Sequence, residues 1–315
     1  MVKFAGYLLL GIPLLAAAES DWDLLQKAAQ AGRHQALSGS YTHHVDDELE
    51  TFRLYRAQEG GVVRERRESM DGMPRELVRD DNELTCYAPD TKALSAAKVN
   101  AIKLFPAILP ERSQDLKSAY VLSRGKLDRV ARRDCQWLLL TPKEANLRYG
   151  LKVCVDPASA LPLKTVTHDA KGAVIEQFAF SDLTLGNPKE RALLRPRFKY
   201  SLALGAAVSA QQEVVPADFE IRGMPTGFRL LRYATRQLPG HDSPVSHFVY
   251  TDGLAKLSLF VEAGKGEADS HPAVIGPGGL GLASRRLGNQ VLTVVGDLPE
   301  QGLENVINTV RVIKK

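Results

Sequence analysis

From Tyr41 onward, turn residues divide the sequence into short runs of apolar and polar character, a rhythm that rules out an all-helical fold. The runs 39–44, 50–57, 62–68, 74–79, 83–87 and 92–94 are separated by turns at Gly60-Gly61, Asp71-Gly72 and Asp80-Asp81-Asn82. Such residues tolerate the left-handed backbone of hairpin tips, so an antiparallel meander follows. Between 99 and 120 the alternation stops. Phe105-Pro106 and Leu109-Pro110 there bracket apolar residues, and the stretch reads as helices or loops lying across the sheet. Strands resume at 120–124, 127–131, 136–141, 151–156, 162–168 and 174–183. A run of neighbouring strands this long does not lie flat, and it curls into a barrel or half-barrel.

Ahead of the meander, Ser20 and Asp23 have capping-box spacing, and Trp22, Leu25, Ala28, Ala29 and Leu37 recur near a helical period, which predicts a helix over 21–32. After it, 188–196 and the Ala-, Gly-, Ser- and Gln-rich 201–213 interrupt the strands as a linker. The second domain begins near Val214. Runs 245–251 and 254–262 flank Asp252-Gly253, the strongest hairpin signal in the chain, with alternating apolar positions suited to pairing with an extended partner. A Gly-rich loop at 276–281 then leads to a strand at 290–295. Pro299 opens a closing helix through Leu303, Val306, Ile307 and Val310, with Asp297 and Glu300 at capping-box spacing.

The 315 residues exceed what one core usually organises. Lys3, an apolar run over 4–15 and Ala16-Ala17-Ala18 have the order of a cleaved signal peptide, with an apolar run too short to span a bilayer. The expected division is a leader at 1–18, a first domain at 19–200, a linker at 201–213 and a second domain at 214–315. The chain is mostly β, of the α+β class. Its 41 basic and 37 acidic residues are too balanced for a dedicated nucleic-acid binder.

Three cysteines in an oxidising compartment allow one disulfide. A hairpin centred between Glu144 and Ala145 sets Cys135 across from Cys154, leaving Cys86 free; the alternative is that both are buried small residues.

Gly276-Pro277-Gly278-Gly279-Leu280-Gly281 formally matches the dinucleotide fingerprint, yet 282–288 makes a poor helix and no parallel βαβ units surround it, so it reads as a mobile surface loop. His43 and His44 point to opposite faces of one strand, which argues against a shared metal site. No nucleophile and base pair up, and neither a nucleophile elbow nor a Cys-x-x-Cys is present, so no catalytic residue, metal or cofactor is assigned. Arg64, Arg66, Arg67, Arg75 and Arg79 fall in neighbouring strands and suit the carboxylates or phosphates of an anionic partner; the favoured reading is a solvated face laced with Glu65, Glu68 and Glu76.

Several longer segments resemble the RseB/MucB family of periplasmic regulators of the extracytoplasmic-stress sigma factor. They are Arg64-Glu65-Arg66, Asp71-Gly72-Met73-Pro74-Arg75-Glu76, Arg129-Val130-Ala131-Arg132 and Arg148-Tyr149-Gly150 with Asp156. The second domain adds Met224-Pro225-Thr226-Gly227-Phe228, His247-Phe248-Val249-Tyr250-Thr251-Asp252-Gly253-Leu254 and Thr293-Val294-Val295-Gly296-Asp297-Leu298-Pro299. One departure is Arg132-Arg133, where a Gly is expected beside the Arg.

The resemblance implies an open half-barrel like that of lipoprotein carriers, with covering helices, joined to a smaller α+β domain. It further implies binding to the periplasmic part of a membrane-spanning anti-sigma factor, protection of that partner from a site-one protease, and release by lipopolysaccharide or lipoprotein acyl chains. Phe52, Leu54, Trp137, Leu139, Phe178 and Phe180 are first of all core candidates; under the resemblance they would line the acyl cavity. A periplasmic lipid or lipoprotein carrier and an uncharacterised envelope hydrolase are the alternatives, and a homo-oligomer is compatible with each.

Overall fold

The structure, a computed structural model, describes residues 20–96, 103–206, 219–237, 243–263 and 271–314. The leader, the linker beyond 206 and the start of the second domain near Val214 lie outside the described residues. Helix α1 (Asp21–His34) opens the chain, and Ser20 caps it by accepting from the Asp23 amide at 3.2 Å. The helix runs two residues beyond the expected end, and its buried face, Leu24, Leu25, Ala28, Ala29 and Gly32, shares Leu25, Ala28 and Ala29 with the expected stripe, while Leu37 opens the first strand.

The meander follows as β1 (Leu37–Val45), β2 (Glu48–Glu59), β3 (Val62–Ser69), β4 (Glu76–Asp80) and β5 (Glu83–Ala88). Residues 92–94, expected to be a strand, fall instead within a short helix α2 (Thr91–Ala96), whose turn starts as the Asp90 side chain accepts from the Ala93 amide. A 3₁₀ turn at Ser113–Ser118 lies in the covering segment, where Phe105, Leu109 and Leu116 are buried. Then come β6 (Tyr120–Val130), β7 (Arg133–Pro142), β8 (Gly150–Val155), β9 (Pro162–His168), β10 (Val174–Leu185) and β11 (Tyr200–Ala206). The two runs expected at 120–124 and 127–131 are one strand with a bulge between Arg124 and Leu127.

All eleven strands form one antiparallel sheet, ordered β11-β5-β4-β3-β2-β1-β10-β9-β8-β7-β6. Residues 201–206, read as the start of the linker, form its edge strand against β5, since an uncharged run such as Ser201-Leu202-Ala203 pairs well on an open ladder. Among the described residues β11 and β6 are the outermost strands and do not pair with each other, so the sheet is open. It does curl, because Arg132 at the β6–β7 tip reaches Asp182 on β10 at 3.7 Å although three strands separate β6 from β10. At that tip Ala131 and Arg132 have φ of 48° and 63°. The missing Gly therefore falls in a turn that favours it, and the chain adopts the left-handed conformation regardless.

The second sheet is built from β13 (Arg229–Arg236), β14 (Val245–Thr251), β15 (Lys256–Ala263), β16 (His271–Ile275), β17 (Gly281–Leu287) and β18 (Gln290–Gly296), in the order β13-β14-β15-β18-β17-β16. Helix α3 (Glu300–Thr309) covers one face, and β12 (Phe219–Arg222) pairs separately with β19 (Arg311–Lys314). The expected Asp297–Glu300 box is not made; Pro299 is the N-cap, and the Asp297 amide donates to the Lys256 carbonyl at 3.1 Å. Strand β17, which includes the presumed poor helix at 282–287, escaped notice because Arg285-Arg286 breaks its alternation.

Candidate functional site

The two sheets meet at a junction assembled from the segments between strands. Arg148, in the loop before β8, is buried. It donates from Nε to Asp252 Oδ2 at 3.0 Å, from Nη1 to Glu144 Oε2 at 2.7 Å, and from Nη2 to the Thr226 carbonyl. Its guanidinium lies 5.2 Å from the centroid of the Phe228 ring. Tyr120 at the start of β6 donates to the same Asp252 oxygen at 3.3 Å; burial, then the Asp252 charge, pushes the phenol well above its ordinary range. Asp252 Oδ1 accepts from the Leu254 and Ala255 amides at 3.0 and 2.8 Å. The residue read only as a turn former thus terminates the β14–β15 hairpin and receives two groups from the other domain.

Glycines bring the backbones close enough for this. A Cβ at Gly302 would stand 2.4 Å from the Leu147 carbonyl, and one at Gly279 would stand 2.7 Å from Ile175 Cγ2 and 2.9 Å from Tyr149 Cε2. The Gly-rich loop is therefore not free surface. Gly279, at φ 74°, is buried against the first domain, where no larger residue fits. On the same side Lys103 bonds Glu176 Oε2 at 2.5 Å, and His43 bonds Glu176 Oε1 at 2.9 Å. Asp297 lies near them with its carboxyl raised, first by burial, although Lys103 draws it the other way.

The five arginines do not form one patch, because alternation along β3 divides them. Arg66 bonds Glu76 at 2.6 Å and Glu68 at 2.8 Å on one face. Arg67, on the other, bonds Glu65 at 2.6 Å, Tyr41 at 3.2 Å and the Phe105 carbonyl. Arg56 also reaches Glu65, at 2.5 Å. Glu65 is buried, which alone would push its carboxyl up; Arg56, Arg67 and Arg79 outweigh that and hold it down at about 2. Arg79 donates to the Arg33 carbonyl, Arg75 pairs with Glu50, and only Arg64, paired with Asp80 at 3.2 Å, is well exposed. Neither the solvated face nor the anionic-partner patch describes Arg66 and Arg67. They are interior ion pairs, which the sequence alone could not separate from surface charge.

Nor do the six apolar candidates line one cavity. Phe52, Leu54, Phe178 and Phe180 belong to a packed cluster with Tyr41 and Phe105, whose ring is 5.5 Å from Phe178 and 4.9 Å from Phe180. Phe105 of the covering segment occupies the space between the strands. Trp137, in register with Cys154, packs against the same cluster, whereas Leu139, in register with Lys152, Val166 and Gln177, does not belong to it. Cys135 and Cys154 are joined by a disulfide with Cα atoms 5.3 Å apart, and Cys86 is free and buried. Because Trp137 rather than Cys135 sits opposite Cys154, the bridge is diagonal and the hairpin register is two residues from that expected. Among the described residues, no three His, Cys, Asp or Glu side chains are grouped to hold a metal, and no helix is long and apolar enough to cross a membrane.

Residues 20–198 match the family model of the MucB/RseB N-terminal domain, and residues 213–311 match that of the MucB/RseB C-terminal domain. The chain belongs to the MucB/RseB family. The sigma factor AlgU regulatory protein MucB of Pseudomonas aeruginosa is 30% identical over 314 residues, covering 96% of this chain and 94% of that protein. The sigma-E factor regulatory protein RseB of Haemophilus influenzae is 24% identical over 303 residues, covering 95% of each. Among solved structures, the Pseudomonas aeruginosa MucA/MucB complex superposes with a TM-score of 0.76 at 27% identity, over 93% of this chain and 99% of that one. A crystal structure of MucB gives 0.57 at 28% identity, over 92% and 96%. In this MucB/RseB member, segments that carried the resemblance meet at the junction. Arg148 comes from Arg148-Tyr149-Gly150, Thr226 and Phe228 from Met224-Pro225-Thr226-Gly227-Phe228, and Asp252 from the segment that begins His247-Phe248-Val249.

Proposed function

We propose that this chain is a non-enzymatic, periplasmic negative regulator that grips the periplasmic part of a membrane-spanning anti-sigma factor with both domains. In this reading the grip shields the partner from site-one proteolysis, and lipopolysaccharide or lipoprotein acyl chains release it. The observation that carries it is the end-to-end correspondence with MucB in its complex with MucA, a TM-score of 0.76 over nearly all of both chains. A single lipoprotein-carrier domain would leave the second sheet and the buried Arg148–Asp252 contact without a purpose.

The grip requires the domains to keep one relative position, and the junction supplies it. Lipid release requires a route into the apolar core of the first domain. Phe105 closes the aromatic cluster, so uptake of an acyl chain there displaces it together with the covering segment. Because Arg67 holds the Phe105 carbonyl, that movement also disturbs the Arg56–Glu65–Arg67 network. Coupling is reciprocal, so lipid binds partner-free protein more tightly by the factor by which it weakens the partner.

The test is proteolysis of the partner's periplasmic part with and without the chain. Cleavage should slow when the chain is present and recover when lipid A is added. Equal cleavage rates without lipid would reject the shielding role. Slow cleavage unaffected by lipid would leave a constitutive shield with no sensor.

A further inference from the structure

The second sheet has one covered face and one bare of helix. Helix α3 shares a core with Ala283, Leu292 and Val294, so the alternate side chains of β17 and β18 point away from it. On that other face the register aligns Arg232, Val249, Ser258, Val295, Leu282 and Val274 in a single row. The next row holds Ala234, His247, Phe260 and Thr293. Val249, Phe260 and Val295 are half-buried, while Val274 is 63% and Leu282 41% exposed. Strand β16, where the row ends, is the outermost strand of the sheet among the described residues.

Two cations stand at the opposite end, on β13. Arg232 and Arg236, four residues apart on β13, share this face and form no ion pair among the described residues. Between them and the apolar row lies His247, buried, with its ring stacked 4.3 Å from that of Phe260 and its Nε2 3.0 Å from Ser258 Oγ. Its Nδ1 has no partner. Burial, then the charges of Arg236 and Arg232, lowers this histidine to about 4. The arrangement is a pair of cations without an ion-pair partner among the described residues, an unsatisfied imidazole nitrogen beside it, and an apolar strip running from there toward β16; alternation along β15 puts one carboxylate, Glu262, on the same face.

We infer that this face docks an acidic amphipathic segment of the protein partner. The segment's carboxylates sit between Arg232 and Arg236 above His247, and its apolar side chains lie along Val249, Val295, Leu282 and Val274. The inference rests on the proposed partner-binding function and adds where and by what chemistry the second domain takes hold. The strands 245–251 and 254–262, whose alternation suggested pairing with a partner, are interior to the sheet and have no free edge, so contact through their side chains replaces strand addition.

Calorimetric titration of the partner's periplasmic part into the full chain tests this, using unaltered protein, Arg232→Glu/Arg236→Glu, Leu282→Lys, and Arg191→Glu as a control on the first domain. The charge reversal should weaken binding roughly tenfold or more and flatten its salt dependence, since it replaces attraction by repulsion at the rim. Leu282→Lys, at an exposed site that folding does not require, should also weaken binding, and the control should not. In the complex His247 should titrate at a higher pH than in the free protein, read from its ring proton shifts. Unaltered affinity in both variants overturns the inference while leaving partner binding intact. Failure of the unaltered chain to bind overturns the proposed function, and the inference with it.

Discussion

Arg148 and Asp252 meet at 3.0 Å across the domain junction, both shielded from water. A buried pair of this kind contributes little relative to an apolar replacement, but removal of one partner strands a charge. Arg148→Ala or Asp252→Ala alone should each cost about 3–5 kcal/mol in urea unfolding. Arg148→Met/Asp252→Leu together should cost less than either single change. A double variant as unstable as the sum of the two would show that the groups act separately.

Gly302 tests how closely the domains approach. Gly to Ala inside a helix ordinarily stabilises by about 1 kcal/mol. Here the added methyl would stand 2.4 Å from the Leu147 carbonyl. Gly302→Ala should therefore loosen the junction, seen as a larger radius of gyration in small-angle scattering with an unchanged far-ultraviolet spectrum. A stabilised protein of unchanged size would contradict the contact.

Much of this was legible in the sequence, because two-residue alternation and turn chemistry are local. The first ten strands, α1 and the Asp252-Gly253 hairpin all follow from them. What was lost depends on partners distant along the chain. Nothing around Arg66 and Arg67 distinguishes a solvated cation from one buried against Glu76 and Glu65, and only the curl of the sheet decides it. Trp137 and Leu139 look alike as apolar residues of one strand, yet only Trp137 packs against the cluster that holds Phe178. The Gly-rich loop carried a true signal, close backbone approach, but the surface it approaches belongs to the other domain.

Acid should destabilise the protein in two stages. His247, lowered from 6.5 to about 4 by burial and then by Arg236 and Arg232, takes up its proton in the unfolded chain first, so stability falls as the pH drops through that range. Glu65 is lowered from 4.5 to about 2, so its contribution is present above pH 4.5 and disappears toward 2. His247→Phe should flatten only the upper stage of a stability profile measured by urea unfolding. An unchanged slope there would show that His247 is as accessible to protons when folded as when unfolded.

The Cys135–Cys154 bridge closes a loop with a sequence separation of 19. Closing a loop of that size stabilises by about 3 kcal/mol through the unfolded chain. Thiol labelling of unfolded, unreduced protein should find one reactive cysteine, Cys86, and Cys135→Ala/Cys154→Ala should lower the melting temperature. Three labelled thiols would mean the bridge is absent.

The central claim is that the chain binds the periplasmic part of an anti-sigma factor through two domains held in register. Calorimetric titration of that partner into the full chain and into the Arg148→Ala variant measures it most directly. The account predicts saturable one-to-one binding by the full chain and a clear loss of affinity in the variant while both sheets remain folded. Absence of binding by the full chain, or equal affinity for the two proteins, would contradict it.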